Sequence, residues 1–260
     1  ESASVDTTFV SADMVSMDSA LPAKKRDSIA KSNGVLPKIG MKRIMSEKEL
    51  NQINMMKSQE GTDKEIAIKL ANDPVACSTG IDEKNEANFL EGLSNGVVIV
   101  GDIENPSEGN RINFNYPDEN IFGVGTKGKI EYEDIKKVLD YATAKGSAIT
   151  TMMLAKSTYD KIRNTRWAKE LSANYQGQVF TDGTALPTPT ASRFNDAFAD
   201  DNGGIKIIVV DRSVVEERNG KRIVRKPWNA DKIVFLTSEN VGALVWGTLA
   251  EKSFPSKNVE

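Results

Sequence analysis

The first 45 residues constrain the fold most, because their apolar side chains cannot form a core among themselves. Small polar and apolar residues alternate there, and no helical period is present. The pattern predicts one strand in FVSADMVSMD (9–18) and a returning strand in VLPKIGMKRIM (35–45). Such a hairpin has no core of its own and is uncommon inside a compact domain, so we expect a neighbouring subunit to cover it.

The absence of histidine excludes most catalytic classes. The 260 residues include no histidine and one cysteine, Cys77. Such a chain cannot build a Ser-His-Asp or Cys-His nucleophile, and it lacks the usual zinc ligands and the side chain best suited to proton transfer near neutral pH. We therefore predict no enzyme and no catalytic, cofactor-binding or metal-binding residue. Cys77 is interpreted as a small, partly buried residue in a helix.

The overall charge is nearly balanced, with 34 basic and 37 acidic residues and a net charge of -3. It gives no global electrostatic reason to coat nucleic acid or an anionic membrane. No apolar run approaches the roughly 18 residues that span a bilayer, and the first ten residues lack a signal-peptide pattern. We expect a soluble chain that is made in the cytosol and has no membrane partner.

Capping signals divide the next part of the chain into helices. Ser46 with Glu49 and Thr62 with Glu65 fit the capping-box spacing and predict two short helices. Pro74 suits the first turn of a longer, mostly polar helix over residues 73–94. The segments GVVIVGDI and RINFNY then predict two strands.

A second region begins near residue 128. Its pattern predicts helices over 132–144 and 157–171, with a strand over 149–154 between them. GIKIIVVD is typical of a buried strand, and the Asn-Gly pair in VVEERNGKRIVRK indicates a hairpin. KIVFL and ALVWGTL complete the predicted strands. Because helices and strands mix without regular βαβ alternation, the fold class is α+β.

A glycine-rich loop, GVGTKGK, invites two interpretations. Its glycines and Lys129 match those of a phosphate-binding loop, but Ile130 stands where a Ser or Thr would hold magnesium. We favour a hinge between two regions, with Gly123, Gly125 and Gly128 as the hinge candidates. A nucleotide-binding enzyme that uses Gly123 to Lys129 stays as an alternative.

One charged cluster interrupts the N-terminal segment. Lys24, Lys25, Arg26 and Asp27 are adjacent in sequence and are the candidates for an inter-subunit contact. The basic residues of this cluster could contact phosphates or an acidic patch on a neighbour. A solvated hairpin tip is the alternative interpretation.

Two segments carry a resemblance to a known family. KPWNADKIVFLTSENVGALVWGTLAEK (226–252) has the proline, the aspartate, a run like "VVFL" and the "WG" before an acidic residue that relatives show in this order. SADMVSMDSALPAKKRDSIAKSNGVLPKIGMKRIMSEKELNQI (11–53) is similar to an extended loop followed by a capped helix. In these features the chain resembles the major capsid proteins of tailed phages, which share the Hong Kong 97 fold, and in particular the phage lambda subgroup.

The resemblance implies three parts. Residues 1–60 would be an N-terminal arm and extended loop, and residues 61–127 a peripheral domain with a long spine helix. Residues 128–260 would be an axial domain, with room for a returning peripheral segment near the C-terminus. Relatives continue past a segment like SFPSKNVE, so the chain is expected to be trimmed or processed.

The implied function is structural. Copies of the chain would assemble into pentamers and hexamers of an icosahedral shell that encloses double-stranded DNA without sequence specificity. Scaffold, portal and decoration proteins are further partners that this role allows. The implied location is the virion capsid, and before assembly the cytoplasm of the bacterial host. A nanocompartment shell of the encapsulin type, which shares the fold, is the alternative.

Overall fold

The computed structural model describes residues 2–5, 29–32, 39–58, 63–100, 110–123, 129–178, 185–218 and 221–247. The helices of these ranges are α1 (Glu47–Lys57), α2 (Asp63–Asn95), α3 (Tyr132–Ala144), α4 (Lys156–Arg163), α5 (Arg166–Tyr175) and α6 (Ala191–Asp201). The strands are β1 (Ser2–Val5), β2 (Ile29–Ser32), β3 (Val97–Val100), β4 (Asn110–Asn113), β5 (Thr151–Ala155), β6 (Lys206–Val210), β7 (Val214–Arg218), β8 (Lys221–Arg225) and β9 (Ile233–Leu236). This mixture confirms the α+β class.

A three-stranded sheet lies at the centre of the described structure, in the order β6-β5-β9. β5 pairs with β6 in parallel and with β9 antiparallel, so that Met153 lies beside Ile208 on one side and Val234 on the other. The parallel pair is joined through α4, α5 and α6. A connection of this length is what two parallel strands require.

The two faces of this sheet pack against different helices, because successive side chains of a strand point to opposite faces. Met152 and Leu154 of β5 belong to the larger core, which also includes residues from α3, α4, α5 and α6. Met153 and Ala155, the alternate residues, belong to a smaller core with Trp228 and the end of α2. The sheet is therefore covered on both faces.

Aromatic side chains fill the larger core. Phe194 and Phe198 of α6 are fully buried, and their ring centroids lie 5.9 Å apart. Tyr159 donates its hydroxyl proton to Asn195 Oδ1 at 2.7 Å, and Trp167 Nε1 donates to the carbonyl of Ile130 at 3.1 Å. These two hydrogen bonds satisfy the polar ends of the large rings.

The helix that precedes the sheet is longer than its sequence pattern predicts. α2 runs without interruption over 33 residues and contains Pro74 in its interior, where two helices divided near residue 73 were predicted. Proline removes one intrahelical hydrogen bond, which makes it a common but not an obligatory helix boundary. Cys77 lies in this helix and is partly buried, as predicted.

Two further predictions about elements are wrong. The helix predicted over 157–171 is divided at Thr165, whose hydroxyl accepts a hydrogen bond from Ala168 N and caps α5. Threonine favours this local bond over a helix interior. The strand predicted in ALVWGTL is not formed over its described residues, 243–247, which belong to no helix or strand.

Pairing in the N-terminal segment also differs from the prediction. β1 pairs antiparallel with β2, with Ser2 opposite Ser32 and Val5 opposite Ile29. The predicted first strand, residues 9–18, lies outside the described residues, and so does the start of the predicted return. The remainder of that return, residues 39–45, forms no strand.

Candidate functional site: the exposed apolar surface

Exposed apolar side chains are unevenly distributed along the described chain. Of the 22 large hydrophobic residues that are exposed, 14 lie in residues 39–123 and seven in residues 214–247. Between residues 129 and 213, which supply most of the larger core, Tyr175 is the single described example. The part of the chain that builds most of the larger core thus buries its large apolar side chains, whereas the flanking parts leave many of theirs in contact with solvent.

The largest group lies on α1, on the first half of α2 and on the segment before α1. α1 packs on α2 through a small contact in which Ile53 and Ile66 are buried. Seven other large apolar side chains of this region are exposed: Met41, Ile44, Leu50, Met55, Ile68, Leu70 and Val75. Exposed apolar groups concentrated in one region mark an interaction surface in soluble proteins.

The β3–β4 hairpin packs closely on the end of α2. A Cβ atom at Gly92 would lie 2.8 Å from Val98 Cγ2 and even nearer to the Phe114 ring, so glycine is needed for this approach. Tyr116 donates its hydroxyl proton to the Leu93 carbonyl at 3.2 Å. Ile99 is exposed on the outer face of the hairpin. Ile112 pairs with Val98 on the face towards α2 and is partly exposed too, so both residues add to the apolar surface.

Ion pairs join α2 to the β7–β8 ribbon. Arg225 Nη1 lies 2.8 Å from Glu91 Oε2, and its Nε lies 3.3 Å from Glu216 Oε1. Lys84 Nζ approaches the same Glu216 oxygen at 3.4 Å. Burial lowers the pKa of Arg225, but hydrogen bonds and attraction from Glu91 and Glu216 outweigh burial and raise this pKa overall. The charges hold the ribbon against the helix.

Two concavities of the described structure are each lined by an ion pair, among other residues. One of about 300 Å³ lies beside Arg43 and Asp73, whose side chains bond at 2.9 Å. The other, of about 80 Å³, lies where β5 and β6 end. There Lys226 Nζ donates to Asp211 at 2.8 Å and thereby lowers the pKa of the Asp211 carboxyl. In each concavity one acidic and one basic side chain are thus held to each other.

The predicted site residues lie mostly outside the described ranges. This holds for Lys24, Lys25, Arg26 and Asp27, and for the hinge candidates Gly125 and Gly128. Gly123 is exposed, and a Cβ atom added to it would meet no neighbour within 4 Å. The contact and hinge roles of all seven residues stay predictions.

The phosphate-loop interpretation gains no support from the residues around the glycine-rich loop. A phosphate-binding loop follows a buried strand, but the described residues before it, 114–122, are exposed and contain only a short 3-10 helix at Asp118–Asn120. Lys129, the last residue of the loop, is exposed as well. Within the described ranges no group of acidic or cysteine side chains could hold a metal ion.

Sequence reasoning missed most of the apolar surface. The spacing of apolar residues in a strand or a helix predicts an apolar face, but it does not predict which molecule covers that face. The signal that was available is the excess of apolar faces, as on the β3–β4 and β7–β8 hairpins, over the elements that could cover them.

Among the residues that the structure describes, every helix is too short or too polar to cross a bilayer.

The exposed apolar side chains around the covered sheet mark an interaction surface, and the comparison with known families indicates its kind. The family model for phage major capsid protein E matches residues 7–254. The class is therefore that of structural proteins of phage capsids. Because the match spans nearly all of the sequence, the chain belongs to the phage major capsid protein E family. No curated protein shows a significant match to the chain.

Proposed function

We propose that the chain is the major shell subunit of a tailed phage or prophage and has the Hong Kong 97 fold of the lambda subgroup. Its copies assemble into pentamers and hexamers of an icosahedral shell that encloses double-stranded DNA. The observation that carries this proposal is the division between a closed core in residues 129–213 and exposed apolar side chains on both sides of it. Family membership supplies the context.

The physical reason is the free energy of hydration. Each apolar side chain left in water forgoes the roughly 25 cal/mol per Å² that burial would provide. Seven such side chains on α1, α2 and the segment before α1 lie where the described structure offers no cover. Copies of the same chain supply that cover in a shell, and many weak contacts of this kind add up because every subunit makes several at once.

The three-part organisation belongs to the same proposal. Residues 1–60 form the arm and extended loop, 61–127 the peripheral domain with α2 as its spine helix, and 128–260 the axial domain. The packing of α2 against Trp228 and the end of β5 supports a C-terminal part that returns to the peripheral domain. Gly123, Gly125 and Gly128 serve as the hinge that adapts one sequence to different curvatures.

The charged cluster of the N-terminal segment and the net charge of the chain bear on two further contacts, those with a neighbouring subunit and with the enclosed DNA. Lys24, Lys25, Arg26 and Asp27 meet a neighbouring subunit. The net charge of -3 suits a shell that encloses DNA without binding a sequence. Scaffold, portal and decoration proteins attach to the assembled shell or guide its formation.

The proposal predicts that polar substitutions at exposed apolar residues in the first half of α2 prevent assembly without unfolding the subunit. Ile68 and Val75 are 62% and 64% exposed, so the double substitution Ile68→Gln and Val75→Gln removes little buried surface. Sedimentation through a sucrose gradient should show at least a tenfold lower yield of shells. The control is Asn72→Gln, an exposed polar position on the same helix, which should leave the yield unchanged. Normal shells from the double variant contradict the proposal.

A further inference from the structure

The β7–β8 ribbon has two faces with different surroundings. Its residues pair in register, with Val214 opposite Arg225, Val215 opposite Val224 and Glu217 opposite Arg222. Val214 is buried, and Arg225 pairs with Glu91 of α2. The inner face is therefore fixed against the helix.

The outer face of the ribbon consists of Val215, Glu217, Arg222 and Val224. Val215 and Val224 lie opposite each other and are 59% and 68% exposed. Next to them Arg222 Nε lies 3.4 Å from Glu217 Oε2, and the side chains of this pair are 79% and 60% exposed. An apolar cross-strand pair beside one acidic and one basic group thus faces away from α2.

This arrangement is self-complementary under a two-fold rotation. A rotation axis that runs parallel to the strands, in the plane of contact, places β7 of one copy over β8 of the other. Val215 then meets Val224 of the second copy, and Glu217 meets Arg222 of the second copy, twice by symmetry. A contact in which the same patch serves both copies is the isologous type.

We propose that the outer face of the β7–β8 ribbon is a two-fold contact between copies of this chain in the shell. The inference rests on the proposed shell function and adds a particular surface and symmetry to it. A second copy is the occupant because the charges match only a face with one acid and one base in the same order. The ion pairs to α2 hold the ribbon in place before contact, which reduces the ordering that association requires.

Charge reversal tests the contact. Glu217→Arg makes the outer face wholly basic and Arg222→Glu makes it wholly acidic, so each variant repels its own copies. Each should give at least a tenfold lower yield of shells on a sucrose gradient, at moderate salt and with an unchanged urea unfolding midpoint. An equimolar mixture of the two variants should recover shells containing both chains, because the two basic side chains of one variant then meet the two acidic side chains of the other.

The double variant E217R/R222E restores self-complementarity and should assemble alone. Val224→Gln provides a test without a change of charge and should lower the yield as well. Normal shells from each single charge variant contradict the ribbon contact while leaving the shell function intact. Folded single variants that fail to assemble and are not rescued by mixing contradict it too. An unmodified chain that forms no shells contradicts the shell function itself.

Discussion

Tyr132, the first residue of α3, shows how a single side chain joins several elements. Its ring stacks on that of Trp167, with centroids 4.9 Å apart. Its hydroxyl donates to the Asp201 carboxylate and accepts from Asn202 Nδ2 at 2.8 Å. Burial, assisted by the hydrogen bond to Asp201, raises the pKa of Tyr132 from 10.0 to about 12. The residue thus links the start of α3 to α5 and to the end of α6.

The substitution Tyr132→Phe should lower the free energy of unfolding by about 1 kcal/mol at pH 8, the usual value of one hydrogen bond. Because the fold favours the neutral phenol, Tyr132 stabilises the protein fully below pH 10.0, and this contribution is lost as the pH rises towards about 12. The difference between the two proteins should therefore shrink over that interval. Urea unfolding at several pH values measures it, and a constant difference would contradict the stated contacts.

At the scale of elements, the β3–β4 hairpin approaches α2 closely at Gly92. In its first half the helix buries Ile66 against α1 but exposes Ile68, Leu70 and Val75, whereas near its end Ala87, Leu90 and Leu93 are all buried. The hairpin and the central sheet therefore both depend on a short stretch of one helix. A side chain added at Gly92 therefore disturbs the packing of the β3–β4 hairpin on α2.

The substitution Gly92→Ala should lower the free energy of unfolding by about 1–3 kcal/mol, the usual cost of overpacking, because the new methyl group overlaps Val98 and Phe114. Gly80→Ala is the matched control on the same helix. Its methyl group would meet only the Met41 side chain within 4 Å, at 2.6 Å to Sδ. Because alanine favours helix over glycine, the control should be neutral or stabilising. Equal effects of the two substitutions in urea unfolding would refute the packing argument.

Sequence patterns within one helix or hairpin predict that element well. They fail where the outcome depends on residues far away in the sequence or on another molecule. The helix Tyr132–Ala144 and the hairpin of β7 and β8 are confirmed, since an apolar period and an Asn-Gly pair are local properties. Pro74 misled the prediction of α2, because a proline removes one intrahelical hydrogen bond but does not oblige the helix to end. The exposed apolar surface could not be predicted residue by residue, since Val215 and Val224 alternate as any half-buried strand does.

At the scale of the whole molecule, the described chain combines one covered sheet with peripheral elements that expose apolar faces. The residues of the larger core all come from the chain after residue 129, so the N-terminal segment contributes none of them. Deletion of residues 18–40 should therefore leave a folded subunit, with an unfolding midpoint close to that of the full chain. Assembly should fail, because the arm no longer reaches a neighbour. Normal shells from this deletion variant, seen by sedimentation, would contradict the role of the arm.

The most direct test of the shell function is electron microscopy of the unmodified chain after expression in bacteria and gradient purification. The account predicts closed particles of uniform size with five-fold vertices, built from this chain. Nuclease treatment of particles from a phage-producing cell should leave double-stranded DNA protected inside them. A chain that stays monomeric at every concentration, with its apolar surfaces still exposed, would contradict the account.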